Sequence, residues 1–176
     1  SVSVIAGDFE NRRMDIFLST PTSRHQYILE KFVSLALIAL YVIGVATVGL
    51  IAGVAGLGAL DELPAHTVFL SLLGCLPFLL VIATVGILSA VAFQKVKVGM
   101  GVTFAAVFVQ FFLYTFGNYT SALAWMKPLS IFNYWDYAAP LLDDVFKVGD
   151  FAMLAVIAGI ILAVGLWLFS HKDVPA

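Results

Sequence analysis

Four long runs without a charged residue dominate this sequence: Phe32 to Leu60, Thr67 to Gln94, Val98 to Met126 and Phe151 to Ser170. A helix that crosses the hydrocarbon core of a bilayer needs about 20 predominantly apolar residues, and each run supplies them. Open backbone donors and acceptors are costly in lipid, so only helices or closed barrels span it. Barrel strands alternate apolar and polar residues over about 10 positions, whereas these runs are apolar on every side. The expected fold is therefore all-α, a polytopic membrane helix bundle. Its four transmembrane helices fall near residues 28–55, 67–94, 98–118 and 150–170 of a single transmembrane domain, 1–176. Composition agrees: 62% of the chain is hydrophobic and 11% charged, against about 25% charged in a soluble domain. A net charge of −2 with no basic stripe excludes nucleic acid as a partner.

An even number of spans leaves both chain ends on one side, and lysine and arginine choose the side. Arg12, Arg13, Arg24 and Lys31 precede the first span, Lys95 and Lys97 occupy the tight turn after the second, and Lys172 follows the fourth. Seven of the nine basic residues thus share one side, which is expected to be cytoplasmic. Lys127 and Lys147 lie opposite, with Asp61, Glu62, Asp136, Asp143, Asp144 and Asp150. The opening, Ser1 to Arg13, lacks the basic start of a signal peptide. It reads as the tail of an earlier apolar segment, so the chain is expected to be a fragment.

Within the spans the polar groups are mild: Thr84, Ser89, Thr103 and Gln110. Gln110 would hydrogen-bond a neighbouring helix or face a pathway. No ionisable residue lies inside a span, which counts against a proton- or ion-coupled carrier. Gly49 and Gly53 form a GxxxG pair near Gly56, and Ala152, Ala155, Gly159 and Ala163 share a face of the last span. Such faces let helices approach closely, either within one bundle or at a dimer seam. Pro77 removes a backbone donor and bends the second span, as a static kink or a hinge. Cys75 sits in an apolar run and is expected to be an inert thiol.

Ahead of the first span lies a polar stretch, "GDFENRRMDIFLSTPTSRHQY". Phe9, Ile16 and Phe17 cluster on one side of a helix over residues 8–19, which suits a helix lying at the membrane interface. Thr20 is a good helix cap, and proline at the next position is pre-set for a helical start. One helix would end near Ser19 and another begin at Pro21, running through Arg24 and Lys31 into the bilayer. Two readings fit this corner. It is an interfacial anchor with snorkelling arginines, or a stiff lever coupling a cytoplasmic partner to the first span.

Those same residues carry a family resemblance. The stretch resembles the segment that joins the second and third spans of type-two ABC exporter permeases, with matching positions at Asp8, Glu10, Asp15, Leu18, Ser19, Pro21, Ser23, Arg24 and Lys31. It departs from the family pattern at Arg12 and Arg13, where a Gly-Thr pair is usual, and at Glu30, where glycine precedes the lysine. The ending "FSHKDVPA" resembles the family's short charged tail. The resemblance implies six spans in a whole permease, of which this chain would supply the last four. It implies a second permease, homo- or heterodimeric, and a cytoplasmic ABC ATPase subunit as partners. Residues 8–19 would be the interfacial coupling helix, and Asp8, Glu10, Arg12, Arg13, Asp15, Pro21, Ser23 and Arg24 the ATPase-coupling set. The stretch from Trp125 to Asp150 resembles the re-entrant or interfacial helices of the family's last outer loop. From the residues alone, its Trp125, Phe132, Tyr134, Trp135 and Tyr137 fit an aromatic belt at the membrane surface.

Other chemistry is absent from the sequence. There is no phosphate loop of the G-x-x-x-x-G-K-[ST] type, so ATP hydrolysis is expected on a separate subunit and not on this chain. His25, His66 and His171 are dispersed, and Asp143 with Asp144 makes a solvated acidic turn, so neither metal nor cofactor is expected. Asn118 opens an N-Y-T sequon hard against the membrane. Three functional readings remain: the permease of an ATP-driven exporter, an ATP-independent channel or carrier, and a non-transporting membrane anchor or assembly factor.

Overall fold

A computed structural model describes residues 24–136, 138–143 and 145–171, with the side chains of Arg24 and His25 outside that description. The described residues are overwhelmingly helical and contain no strand. Helix α1 is Arg24–Gly56, α2 is Ala65–Leu73, α3 is Cys75–Phe93 and α4 is Val96–Tyr119. Two 3₁₀ segments follow, Ser121–Leu129 and Ile131–Asn133, then a short helix α5, Ala138–Leu142, and finally α6, Val148–His171. Among the described residues, four helices are long and apolar enough to cross a membrane: Gln26–Gly56, Ala65–Phe93, Val96–Tyr119 and Val148–His171. The expected all-α, polytopic membrane bundle is therefore the fold of this chain.

The second spanning helix is interrupted where chemistry requires. Proline has no N–H, and its ring crowds the carbonyl four residues before it. Pro77 thereby disturbs the turn at Leu73, and the regular helix breaks at Gly74 between α2 and α3. Gly74 keeps a right-handed helical backbone (φ −58°, ψ −23°) and its N–H still reaches the Leu70 carbonyl at 3.0 Å. The span therefore continues in nearly the same direction. Pro77 itself is fully buried.

By packing, the helices divide into two units along their length. The first takes in residues 24–36, 80–109 and 156–171. Its core is Tyr27, Ile28, Ile87, Ala90, Val91 and Phe169, with Phe32, Leu35, Leu162 and Leu166 around it. Ser89 and Thr103 join α3 to α4 here, their hydroxyl oxygens 2.6 Å apart. Thr84 is also buried, but its hydroxyl donates to the Val81 carbonyl on its own helix at 2.8 Å. The turn from α3 to α4 is short because Gln94 takes a left-handed conformation (φ 54°), a role usually left to glycine.

The second unit takes in residues 37–79 and 110–155, less Tyr137 and Asp144. Its buried residues include Ile43, Thr47, Val68, Ser71, Phe78, Ser130, Ile131 and Ala139. Thr47 and Thr67 return their hydroxyls to carbonyls of nearby residues, Ile43 and Pro64, so neither leaves an open donor in the apolar interior.

The small-residue faces are not used inside either unit. Gly49, Gly53, Gly56 and Gly159 have room for a Cβ with nothing within 4 Å. Ala152, Ala155 and Ala163 are exposed. Packing within one bundle, one of the two readings offered by the sequence, is not what these faces do among the described residues.

Candidate functional site

The sequence offered two regions of interest, the corner before the first span and the segment between the last two spans. Of the coupling set, Asp8, Glu10, Arg12, Arg13, Asp15, Pro21 and Ser23 lie outside the described residues, and Arg24 is described in its backbone only. By Arg24 the chain is already helical, and α1 then runs without a break for 33 residues, about 50 Å at 1.5 Å per residue. Residues near its start are firmly seated: Ile28 is fully buried, and the Tyr27 ring lies 6.4 Å from that of Phe169. Lys31 sits 5.3 Å above the Tyr27 ring.

The segment between the last two spans is described almost completely, and it departs from a simple loop. Beyond Tyr119 the chain turns and doubles back along α4. Gly117 meets Lys127, and Gln110 meets Ser130 and Ile131. Nine residues of helix separate Gln110 from Tyr119, so the returning chain reaches about 13 Å down the helix. Close approach at the first point depends on glycine. A Cβ at Gly117 would stand 2.9 Å from the Lys127 amide nitrogen and 3.1 Å from its Cα.

At the second point the bonding is polar and complete. Ser130 is fully buried, and its hydroxyl donates to the Gln110 carbonyl at 2.6 Å. The Ile131 N–H donates to Gln110 Oε1 at 3.0 Å. Ser130 Oγ in turn accepts the Phe132 N–H at 3.2 Å. Irregular backbone at membrane depth is tolerated only where its polar groups find partners in the protein. Gln110 and Ser130 are those partners. Through its carbonyl and Oε1, Gln110 holds the returning chain.

The aromatic residues divide in two. Trp125 is 65% exposed and fits a belt. Phe132 and Trp135 do not, because the fold-back turns them inward. Trp135 stacks on Phe78 with ring centroids 4.6 Å apart, and Phe132 meets Phe78 edge-on at 5.0 Å. Phe132 also lies 5.9 Å from Phe111 and 6.4 Å from Tyr114 on α4. The Tyr134 hydroxyl donates to the Pro128 carbonyl at 2.9 Å. Tyr137 lies outside the described residues.

The segment is pinned again before α6. Asp136 Oδ1 accepts the N–H groups of Ala138 and Ala139 at the start of α5, and Oδ2 accepts from Lys147 Nζ at 2.7 Å. The Lys147 hydrogen bond, then the Ala139 N–H, hold the Asp136 carboxyl below its ordinary value of 3.8. Asp136 in turn raises Lys147 above its ordinary 10.5. A depressed carboxylate stabilises the fold above its unfolded pKa, and that contribution is lost as pH falls through the folded value. A raised ammonium stabilises below its unfolded pKa, lost as pH climbs through the folded one. The pair should hold from roughly pH 4 to pH 10. Asp136→Ala is expected to lower the melting temperature at pH 7, chiefly by stranding the two helix-start donors, a loss of about 1 kcal/mol. The exposed ion pair itself adds little. A melt unchanged by the substitution would contradict this.

Sequence reasoning missed Ser130, Phe78 and the Asp136–Lys147 pair. The first had a local signal, since serine ahead of a short helical turn accepts backbone N–H groups. Asp136, ahead of α5, had the same signal, while its pairing with Lys147 and the place of Phe78 had none. Among the described residues no group of histidine, cysteine, aspartate and glutamate is placed to hold a metal. Cys75 is half-buried, its thiol facing the Ser71 carbonyl at 3.8 Å.

No curated protein and no solved structure matches the chain. A family model described as ABC-2 family transporter protein matches residues 1–174. That range takes in the four described spanning helices, the fold-back after α4 and the polar stretch at the start. With its strand-free helical fold and apolar spans, the chain belongs to the ABC-2 transporter family as a multi-pass membrane permease of an ABC transporter.

Proposed function

We propose that this permease is the path-forming subunit of an ATP-driven exporter and that it takes its power from a separate cytoplasmic ABC ATPase. The observation carrying this reading is the family match over residues 1–174 in a chain whose sequence has no phosphate loop. Residues 1–176 act as one transmembrane domain with no catalytic group of its own. The stretch from Asp8 to Ser19 rests against the ATPase as a coupling helix. Asp8, Glu10, Arg12, Arg13, Asp15, Pro21, Ser23 and Arg24 supply its contacts and its corner. ATP binding closes a pair of ATPases, the corner passes that motion to α1, and the spans of two permeases rearrange around a central path. Both the corner and the C-terminal end face the cytoplasm, in keeping with seven of nine basic residues on that side.

The expected result is co-purification of the chain with an ABC ATPase whose hydrolysis rises when the permease is present. Orientation is read in the same preparation. With Cys75 replaced by alanine, cysteines placed at Lys95 and at Lys127 should be labelled by an impermeant maleimide from opposite faces, the first only from the cytoplasmic one. Labelling of both from one face would overturn the topology. Ion flux from the purified chain alone, with no ATPase, would support a channel instead.

A further inference from the structure

The stretch from Ser130 to Trp135 is tied to two spanning helices by unlike means. Toward α4 the tie is polar, through Ser130 Oγ to the Gln110 carbonyl at 2.6 Å and the Ile131 N–H to Gln110 Oε1 at 3.0 Å. Toward α3 the tie is aromatic, through Phe78 to Trp135 at 4.6 Å and to Phe132 at 5.0 Å. Phe78 directly follows Pro77, the residue that breaks the hydrogen-bond ladder of its span. A span so interrupted has a built-in point at which its bend can change. Phe78 is the first side chain beyond that point to touch the returning chain. A change of bend is therefore delivered directly to the Phe132–Trp135 pair through the Phe78 ring.

The polar tie answers in an all-or-none fashion. Its bonds share two side chains, Gln110 and Ser130, and Ser130 is fully buried. Two bonds cross to α4, so pulling the chain away by an ångström or two leaves the Ser130 hydroxyl and the Ile131 N–H unpaired together, and each unpaired group is costly at membrane depth. Packed, hydrogen-bonded elements of this kind have two arrangements, not a continuum.

We propose that residues 130–135 form a latch on the outer side of the permease. The Gln110–Ser130 clasp keeps it shut at rest, and a change of bend at Pro77 opens it through Phe78 during the transport cycle. The proposal rests on the reading of this chain as an ATP-driven permease. Ile131, 9% exposed, is the reporter position, because its backbone N–H stays in the clasp when its side chain is changed.

The test uses the permease–ATPase complex in proteoliposomes, with Cys75→Ala and Ile131→Cys, and reads the rate of labelling by an impermeant maleimide. ATP turnover should raise that rate at least tenfold over the ATP-free rate. Gln110→Leu, or the milder Ser130→Ala, should raise the ATP-free rate by a comparable factor. Phe78→Leu should leave the resting rate low and abolish the response to ATP. In a complex with permease-stimulated ATP hydrolysis, a rate indifferent to ATP overturns the latch. So does a resting rate unmoved by both clasp substitutions, or an ATP response that survives Phe78→Leu. Absence of any permease-stimulated hydrolysis with the unmodified chain overturns the functional reading, and the latch with it.

Discussion

Replacing Pro21 by alanine together with Arg24 by glutamate is expected to cut permease-stimulated ATP hydrolysis, and the transport it drives, by roughly tenfold or more, a loss of at least about 1.4 kcal/mol. On the proposed reading Thr20 and Pro21 would end one helix and start another, because threonine caps and proline is pre-set for the first helical turn. Alanine keeps the second helix but lets the first run on into it, so the lever loses its fixed angle. Reversing the charge at Arg24 removes a cation beside the proposed ATPase contact. The rest of the chain is left intact: Ile28 and Tyr27, which seat the start of α1, are untouched. The double variant should therefore still fold and reach the membrane. Hydrolysis that remains fully stimulated in that variant would remove the coupling role from the corner.

The second large effect is expected at Gly117. Valine there drives its Cβ to 2.9 Å from the Lys127 amide nitrogen and 3.1 Å from its Cα. These are backbone atoms that cannot step aside by changing a rotamer. Either α4 and the returning chain separate or one of them bends, at a cost of about 1–3 kcal/mol. Because Gln110 and Ser130 lie further along the same pairing, separation at Gly117 also threatens the buried hydrogen bonds. The measurement is thermal unfolding of the purified permease in detergent, with a drop of several degrees expected. Gly53→Val is the control, since nothing lies within 4 Å of a Cβ built there. If both variants melt alike, the close approach at Gly117 carries no weight. A large loss at Gly53 would instead reveal a second chain packed on that face.

The spans were legible in the sequence because their cause is local: a run of about 20 uncharged apolar residues is itself the condition for crossing a bilayer. The break near Pro77 was legible for the same reason, since a missing N–H acts on the residues just before it. The fold-back after α4 was not. Gln110 and Ser130 are each unremarkable alone, and their bond spans 20 positions that carry no periodic signal. Phe132 and Trp135 look like belt residues because aromatics gather at that depth in any membrane protein. Only the return of the chain along α4 turns them toward Phe78. The small-residue faces misled in the opposite sense: glycine spacing shows where a helix can be approached, not that anything in the same chain approaches it. The corner at Thr20–Pro21 stays a matter of sequence pattern, with α1 described from Arg24 onward.

The amide hydrogens of Ile131 and Phe132 are taken up by Gln110 and Ser130 of the same chain. That stretch therefore needs no column of solvent to dissolve it. Such a segment can rest in apolar surroundings without the cost of leaving those two donors unpaired.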